Sequence, residues 1–149
     1  MMTASKDFAV SDTSISAVLI RVAKESGWAP VVVLILHEVL AGIFGHEPYV
    51  DPVIHFLGGA AAAFLLRCSV SCASGLMGRP SRVATDLLAF GLATVVAVIW
   101  ELGELLSDLL LGSNIQRSAP NTLRDLALGM AGALAYLVLR RVAASRVEA

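Results

Sequence analysis

Four long apolar runs leave this chain few ways to fold. They extend from about Trp28 to Gly45, Val50 to Val70, Val83 to Leu111 and Leu123 to Val142. Each approaches the ~20 residues a helix needs to cross about 30 Å of hydrocarbon, the second and fourth only by including polar ends. In lipid every backbone N–H and C=O must be bonded within the protein, which leaves helices or a closed barrel. The alanine and glycine content does not fit the alternation of a barrel. The chain therefore reads as an all-α, polytopic membrane four-helix bundle, with three spans as the fallback. Composition agrees: 57% of the 149 residues are hydrophobic and 15% charged, against roughly 45–50% apolar in a soluble domain.

Residues 1–27 read as an N-terminal cytoplasmic or interfacial segment, 28–142 as the transmembrane domain and 143–149 as a cytoplasmic tail. No apolar run followed by a small-residue cleavage site opens the chain, so the N-terminal segment is expected to be retained. Within it Ile15, Val18, Leu19 and Val22 recur at helical spacing while Ser14, Arg21 and Lys24 fall on other faces. A short amphipathic helix on the membrane surface competes there with a solvated, frayed terminus. Arginines and lysines gather in three places: Arg21 and Lys24; Arg67, Arg79 and Arg82; and Arg140, Arg141 and Arg146. With four spans these share one side, which the positive-inside rule makes cytoplasmic, giving an N-in/C-in topology. The loop "GHEPYVD" and the connection "GSNIQRSAPNT" then face outward. A net charge of −1, with no basic run and no phosphate-binding glycine loop, excludes a nucleic-acid partner.

Acids inside such runs demand explanation. In "VIWELGELLSD" the residues Glu101, Glu104 and Asp108 are spaced i, i+3, i+7 and share one helix face, about 10 Å from first to last. The same stripe continues inward through Ala97, Thr94 and Gly91. Asp51, His55, Gly58, Gly59 and Ala62 form a comparable stripe on the second span, and Asp125, Gly129, Gly132 and Tyr136 one on the fourth. Small residues on one face let helices approach closely. The direction of each span places the acids and His55 together in the outer half of the bundle. His37 in "LILHEVLAG" lies near mid-membrane, either flooring the site or buried as a satisfied core residue, while Glu38 points about 100° away. His46 is a loop residue with no assigned role.

An unpaired charge at this depth costs at least ~2.5–3.5 kcal/mol. Protonation, a water-filled cavity or a divalent metal ion would each compensate it. Carboxylates with an imidazole are ordinary ligands for zinc, manganese or iron, and His55, Glu101, Glu104 and Asp125 are the candidate metal ligands, with Asp51, Asp108 and His37 as supporting polar groups. Structural roles compete at each position. The acid stripe would pair with Arg124 or Arg117; His55 would bond Asp51 one turn earlier; Asp51 would cap its helix ahead of Pro52; and Asp125 would sit in a first turn, where the helix dipole favours an acid. Cys68 and Cys72 in "CSVSC" suit buried thiols or reversible acylation better than a disulfide within one helix turn.

The order of "DPVIHFLGG", "WELGE" and "NTLRDLALGMAGA" on successive spans resembles the small VanZ-like and YjdF-like bacterial inner-membrane proteins. The resemblance runs from roughly Asp51 to Ala133 and singles out Asp51, His55, Glu101, Glu104 and Asp125, leaving His37 unsupported. It implies a multi-pass protein of the bacterial inner membrane and names no ligand. Glycopeptide resistance belongs to one branch of that group, and no feature of this chain identifies such a ligand.

Two functions of different kinds follow. One is an outward-facing acidic and histidine pocket for a cation or a polar, lipid-headgroup-like ligand. Hydrolysis there would use Glu101 or Glu104 as base and His55 as ligand or acid, although no serine or cysteine nucleophile stands beside a histidine. The other is a non-enzymatic accessory or scaffold subunit, partnered by the lipid bilayer, other membrane subunits or a second copy of itself. In that case the polar cluster is a structural lock, and a histidine would be free to ligate a pigment or haem.

Overall fold

The computed structural model describes residues 14–44, 50–116 and 118–147. The loop around His46, Arg117, and the two termini expected to be cytoplasmic lie outside the described residues, except for the segment from Ser14 to Gly27 and 143–147. The elements are α1 (Ile15–Ser26), α2 (Trp28–Phe44), α3 (Val50–Cys72), the single turn α4 (Ser74–Met77), α5 (Arg82–Leu111) and α6 (Ala119–Val147). No strand occurs among the described residues. The four apolar runs correspond to α2, α3, α5 and α6.

Helix ends follow local chemistry. Ser14 caps α1 by accepting from the Ala17 N–H, and Ser81 caps α5 by accepting from the Ala84 N–H. At the far end of α5 the chain turns through Gly112 at φ 67°, a left-handed conformation that glycine adopts without a Cβ clash. The amphipathic segment is helical as α1. It meets α2 at a bend of 50°, and its Ile15, Leu19 and Ile20 are exposed, as on a helix lying along a membrane surface.

Helices α3, α5 and α6 are each long and apolar enough to cross a membrane, which makes three spans, or four if the bent pair α1 and α2 is counted as one. Helix α2 alone has 17 residues, about 25 Å of rise, which is short of the hydrocarbon thickness. It packs chiefly on α3 and shows Val31, Val32, Leu34 and Ile35 to the outside. Large apolar side chains also cover the outer faces of α5 and α6, as expected of surfaces that meet acyl chains.

The interior is built from small residues. Ala62, Ala63, Ala89, Ala93, Ala133 and Leu137 form the core, flanked by Leu66, Phe90 and Tyr136. The tightest joint is between α3 and α6. A Cβ on Gly59 would collide with the Gly129 carbonyl, and one on Gly132 with the Phe56 carbonyl, so these backbones touch only because both positions are glycine. On α5 the buried face departs from the expected stripe. It runs through Glu101, Ala93, Ala89 and Thr85, whereas Gly91 is exposed and meets nothing. Steps of four from Glu101 reach these residues; steps of three drift round the helix toward lipid. Gly58 likewise meets nothing within packing distance, and Gly59 alone makes the close approach.

The three basic clusters gather at one end of the bundle. Arg67 of α3 and Arg141 of α6 both bind Asp86 of α5, at 2.8 Å and 3.0 Å. The end of α1 reaches the end of α3 there, with Glu25 beside Cys68 and Cys72. His55, Glu101 and Asp125 occupy the other end.

Candidate functional site

His55 is the centre of the polar end. One turn after Asp51 on α3, its side chain is 14% exposed and lies between the acids of the two other long helices. Nδ1 is 3.5 Å from Glu101 Oε1, and Nε2 is 4.0 Å from Asp125 Oδ2. Both acids are buried. One donor atom from each of His55, Glu101 and Asp125 falls within 4.8 Å of the others, a spacing that can surround a metal ion. Among the described residues no hydrogen bond joins His55 to Asp51; the imidazole is turned into the bundle.

The two buried carboxylates differ in their partners. Asp125 Oδ2 accepts from Asn121 Nδ2 at 2.6 Å and Oδ1 accepts from Arg124 Nε at 3.0 Å. Arg124 Nη2 lies 3.0 Å from the same Oδ1, at an angle that makes no hydrogen bond. Glu101 Oε1 is fully enclosed and has no hydrogen-bond partner among the described residues. Such an atom normally carries a desolvation penalty of about 1–3 kcal/mol, more when charged.

Two expectations change here. Asp125 is not in a first helical turn, because α6 begins at Ala119 with Pro120 in the opening turn; Asn121 and Arg124 hold its carboxylate in place of the helix terminus. Arg124 pairs with Asp125, its chain neighbour, and not with the acids of α5.

Those α5 acids separate into three environments. Glu101 lies against His55 inside the bundle. Glu104 accepts from Trp100 Nε1 at 2.9 Å and lines a polar cavity of about 130 Å³ with His37, Asp51, His55, Asn121 and Asp125. Asp108 fastens the loop after α5, accepting from Ser113 Oγ at 2.6 Å, Ile115 N at 2.7 Å and Gln116 N at 2.8 Å. Gln116 is tied onward to Thr122 at 2.9 Å. The loop so held supplies Ser113, Asn114 and Ile115 to the cavity wall.

His37 reaches the cavity from α2, edge-on to Trp100 with ring centroids 6.4 Å apart. His37, Ile54, His55 and Trp100 also line a second cavity of about 280 Å³, otherwise walled by apolar residues of α2, α3 and α5 such as Val33, Leu66 and Val96. The polar and apolar spaces thus share a wall at His37 and Trp100. Glu38, by contrast, is 82% exposed and only 3.5 Å from His37 Nδ1.

Trp100 and Asn121 entered the site without notice from the sequence. Both stand one helical turn before the acid they bond, Glu104 and Asp125, and that i, i+4 spacing was readable. The loop contacts of Asp108 had no such regular signal. A search of curated proteins and one of solved structures each returned no match. A family model does match residues 18–146, covering all of the long helices, and the chain belongs to the family described as predicted membrane protein, DUF2238.

Proposed function

We propose that this membrane protein binds a divalent cation through His55, Glu101 and Asp125, and through it a polar, lipid-headgroup-like ligand. The observation that carries the reading is the buried Glu101 Oε1, without a hydrogen-bond partner among the described residues and 3.5 Å from the His55 imidazole. A cation between these groups would supply the missing partner and neutralise charge in a place where charge is costly. Glu104 and Asp51 line the adjoining cavity and are placed to complete the coordination or to orient a ligand. The apolar space that shares His37 and Trp100 suits an acyl chain whose headgroup meets the cation. No reaction is assigned to the site.

The basic end is taken as cytoplasmic by the positive-inside rule, so that the His55 pocket faces outward. With the resemblance to VanZ-like and YjdF-like proteins, this supports a multi-pass place in a bacterial inner membrane. Elemental analysis of purified protein tests the cation in a background with Cys68 and Cys72 replaced by serine, so that the thiols take up no metal: stoichiometric metal, lost on adding either Glu101→Gln or His55→Ala, is expected. Metal-free protein in that serine background after equilibration with zinc or manganese would overturn it.

A second reading draws on Asp125, whose two oxygens are already taken by Asn121 and Arg124. Here the cluster locks the bundle of an accessory subunit. It requires that His55→Ala lower thermal stability while binding nothing in either form.

A further inference from the structure

The end of the bundle away from His55 holds a second set of ligand atoms. Cys68 and Cys72 stand one turn apart on α3, with their sulfurs 3.8 Å from each other. Glu25, at the end of α1, sets its Oε2 3.6 Å from Cys68 Sγ and 3.9 Å from Cys72 Sγ. Its other oxygen, Oε1, accepts from Arg21 Nε at 2.7 Å, so the arginine fixes the carboxylate and leaves Oε2 turned to the thiols.

We propose that Glu25, Cys68 and Cys72 form a separate site for a thiophilic d10 divalent cation, Zn2+ or Cd2+. The argument is one of shape, donor type and charge. A tetrahedral zinc with bonds of about 2.3 Å to sulfur and about 2.0 Å to oxygen holds its ligand atoms about 3.5–3.8 Å apart. The three observed edges, 3.8, 3.6 and 3.9 Å, are close to that triangle. Both cysteines are half-buried and Glu25 is exposed, leaving the fourth position open to water. Binding releases the two thiol protons to solvent. Two thiolates and a carboxylate around a divalent ion leave one negative charge, which the Arg21 guanidinium offsets. Arg21 thus stands as the outer partner that orients a ligand. Because Glu25 belongs to α1 and the cysteines to α3, the ion would also clamp the interfacial helix to the bundle.

The chain has only two cysteines, so thiolate-to-metal charge transfer reports this site and not the one at His55. Reduced full-length protein titrated with Cd2+ is expected to develop an ultraviolet charge-transfer band that saturates at one ion per chain and is displaced by Zn2+. Cys68→Ser, checked for unchanged helical circular dichroism, should lose the two-thiolate band. Glu25→Gln, at an exposed position, should weaken binding about tenfold or more, and His55→Ala, checked for unchanged helical circular dichroism, should reach the same final band intensity. Bound metal should also protect both thiols of the wild type from maleimide. Absence of the band, an unchanged affinity in Glu25→Gln, or loss of the band in His55→Ala would each overturn the proposal.

Discussion

Each end of the helix bundle holds an acid of α5, Asp86 half-buried and Glu101 buried, and the two acids are treated differently. Near the basic end, Asp86 is bound by Arg67 through one oxygen and by Arg141 through the other. Near the opposite end, Glu101 faces an imidazole at 3.5 Å with an enclosed oxygen that no described residue hydrogen-bonds, and a polar cavity lies beyond His55. A carboxylate that is fully paired contributes to the fold and has little left to offer a ligand. One that is buried and incompletely paired lowers stability and is therefore the better candidate for binding. One helix thus carries a fully paired acid and, about four turns away, an incompletely paired one.

Substitutions break or sharpen that contrast. The largest effect is expected at the glycine joint that holds both ends in register. Gly59→Val would force α3 and α6 apart, costing about 3 kcal/mol or more, seen as a large fall in the thermal unfolding midpoint in detergent. Next is Asp86→Ala, which strands two guanidiniums; about 2 kcal/mol of destabilisation is expected in the same measurement. Glu101→Gln should go the other way in metal-free protein. Replacing a buried carboxyl that is incompletely hydrogen-bonded is expected to leave stability unchanged or raise it by up to about 1 kcal/mol, while binding of the cation is lost. A destabilisation as large as that of Asp86→Ala would erase the distinction between the ends. The smallest perturbation tests which end faces out: in a background with Cys68 and Cys72 replaced by serine, Ser118→Cys should react with an impermeant maleimide in intact cells and Arg79→Cys should not. The reverse pattern would invert the proposed orientation without disturbing the site's geometry.

The corrections to the sequence reading have a common physical origin. Glu101, Glu104 and Asp108 do share a helix face by spacing, yet they meet an imidazole, an indole and a loop backbone respectively. Over seven residues the helix climbs about 10 Å, enough to pass from the packed interior to the boundary, so one stripe crosses three environments. The small-residue stripe erred in the same way. Steps of three lead to Thr94 and Gly91, but the buried face of α5 runs along Ala93, Ala89 and Thr85.

The sequence by itself determined the solvent, the helical character and the approximate spans, because apolar length and backbone satisfaction in lipid allow no other arrangement. It also determined which residues were costly enough to need partners: His55, Glu101, Glu104 and Asp125. Tertiary structure alone decided how those needs were met. The glycines Gly59 and Gly132 let α3 and α6 approach closely, and in the packed bundle His55 meets Glu101 and Asp125 from neighbouring helices. The same packing carries Glu25 across to Cys68 and Cys72, a meeting of residues more than forty positions apart that no helical periodicity can encode.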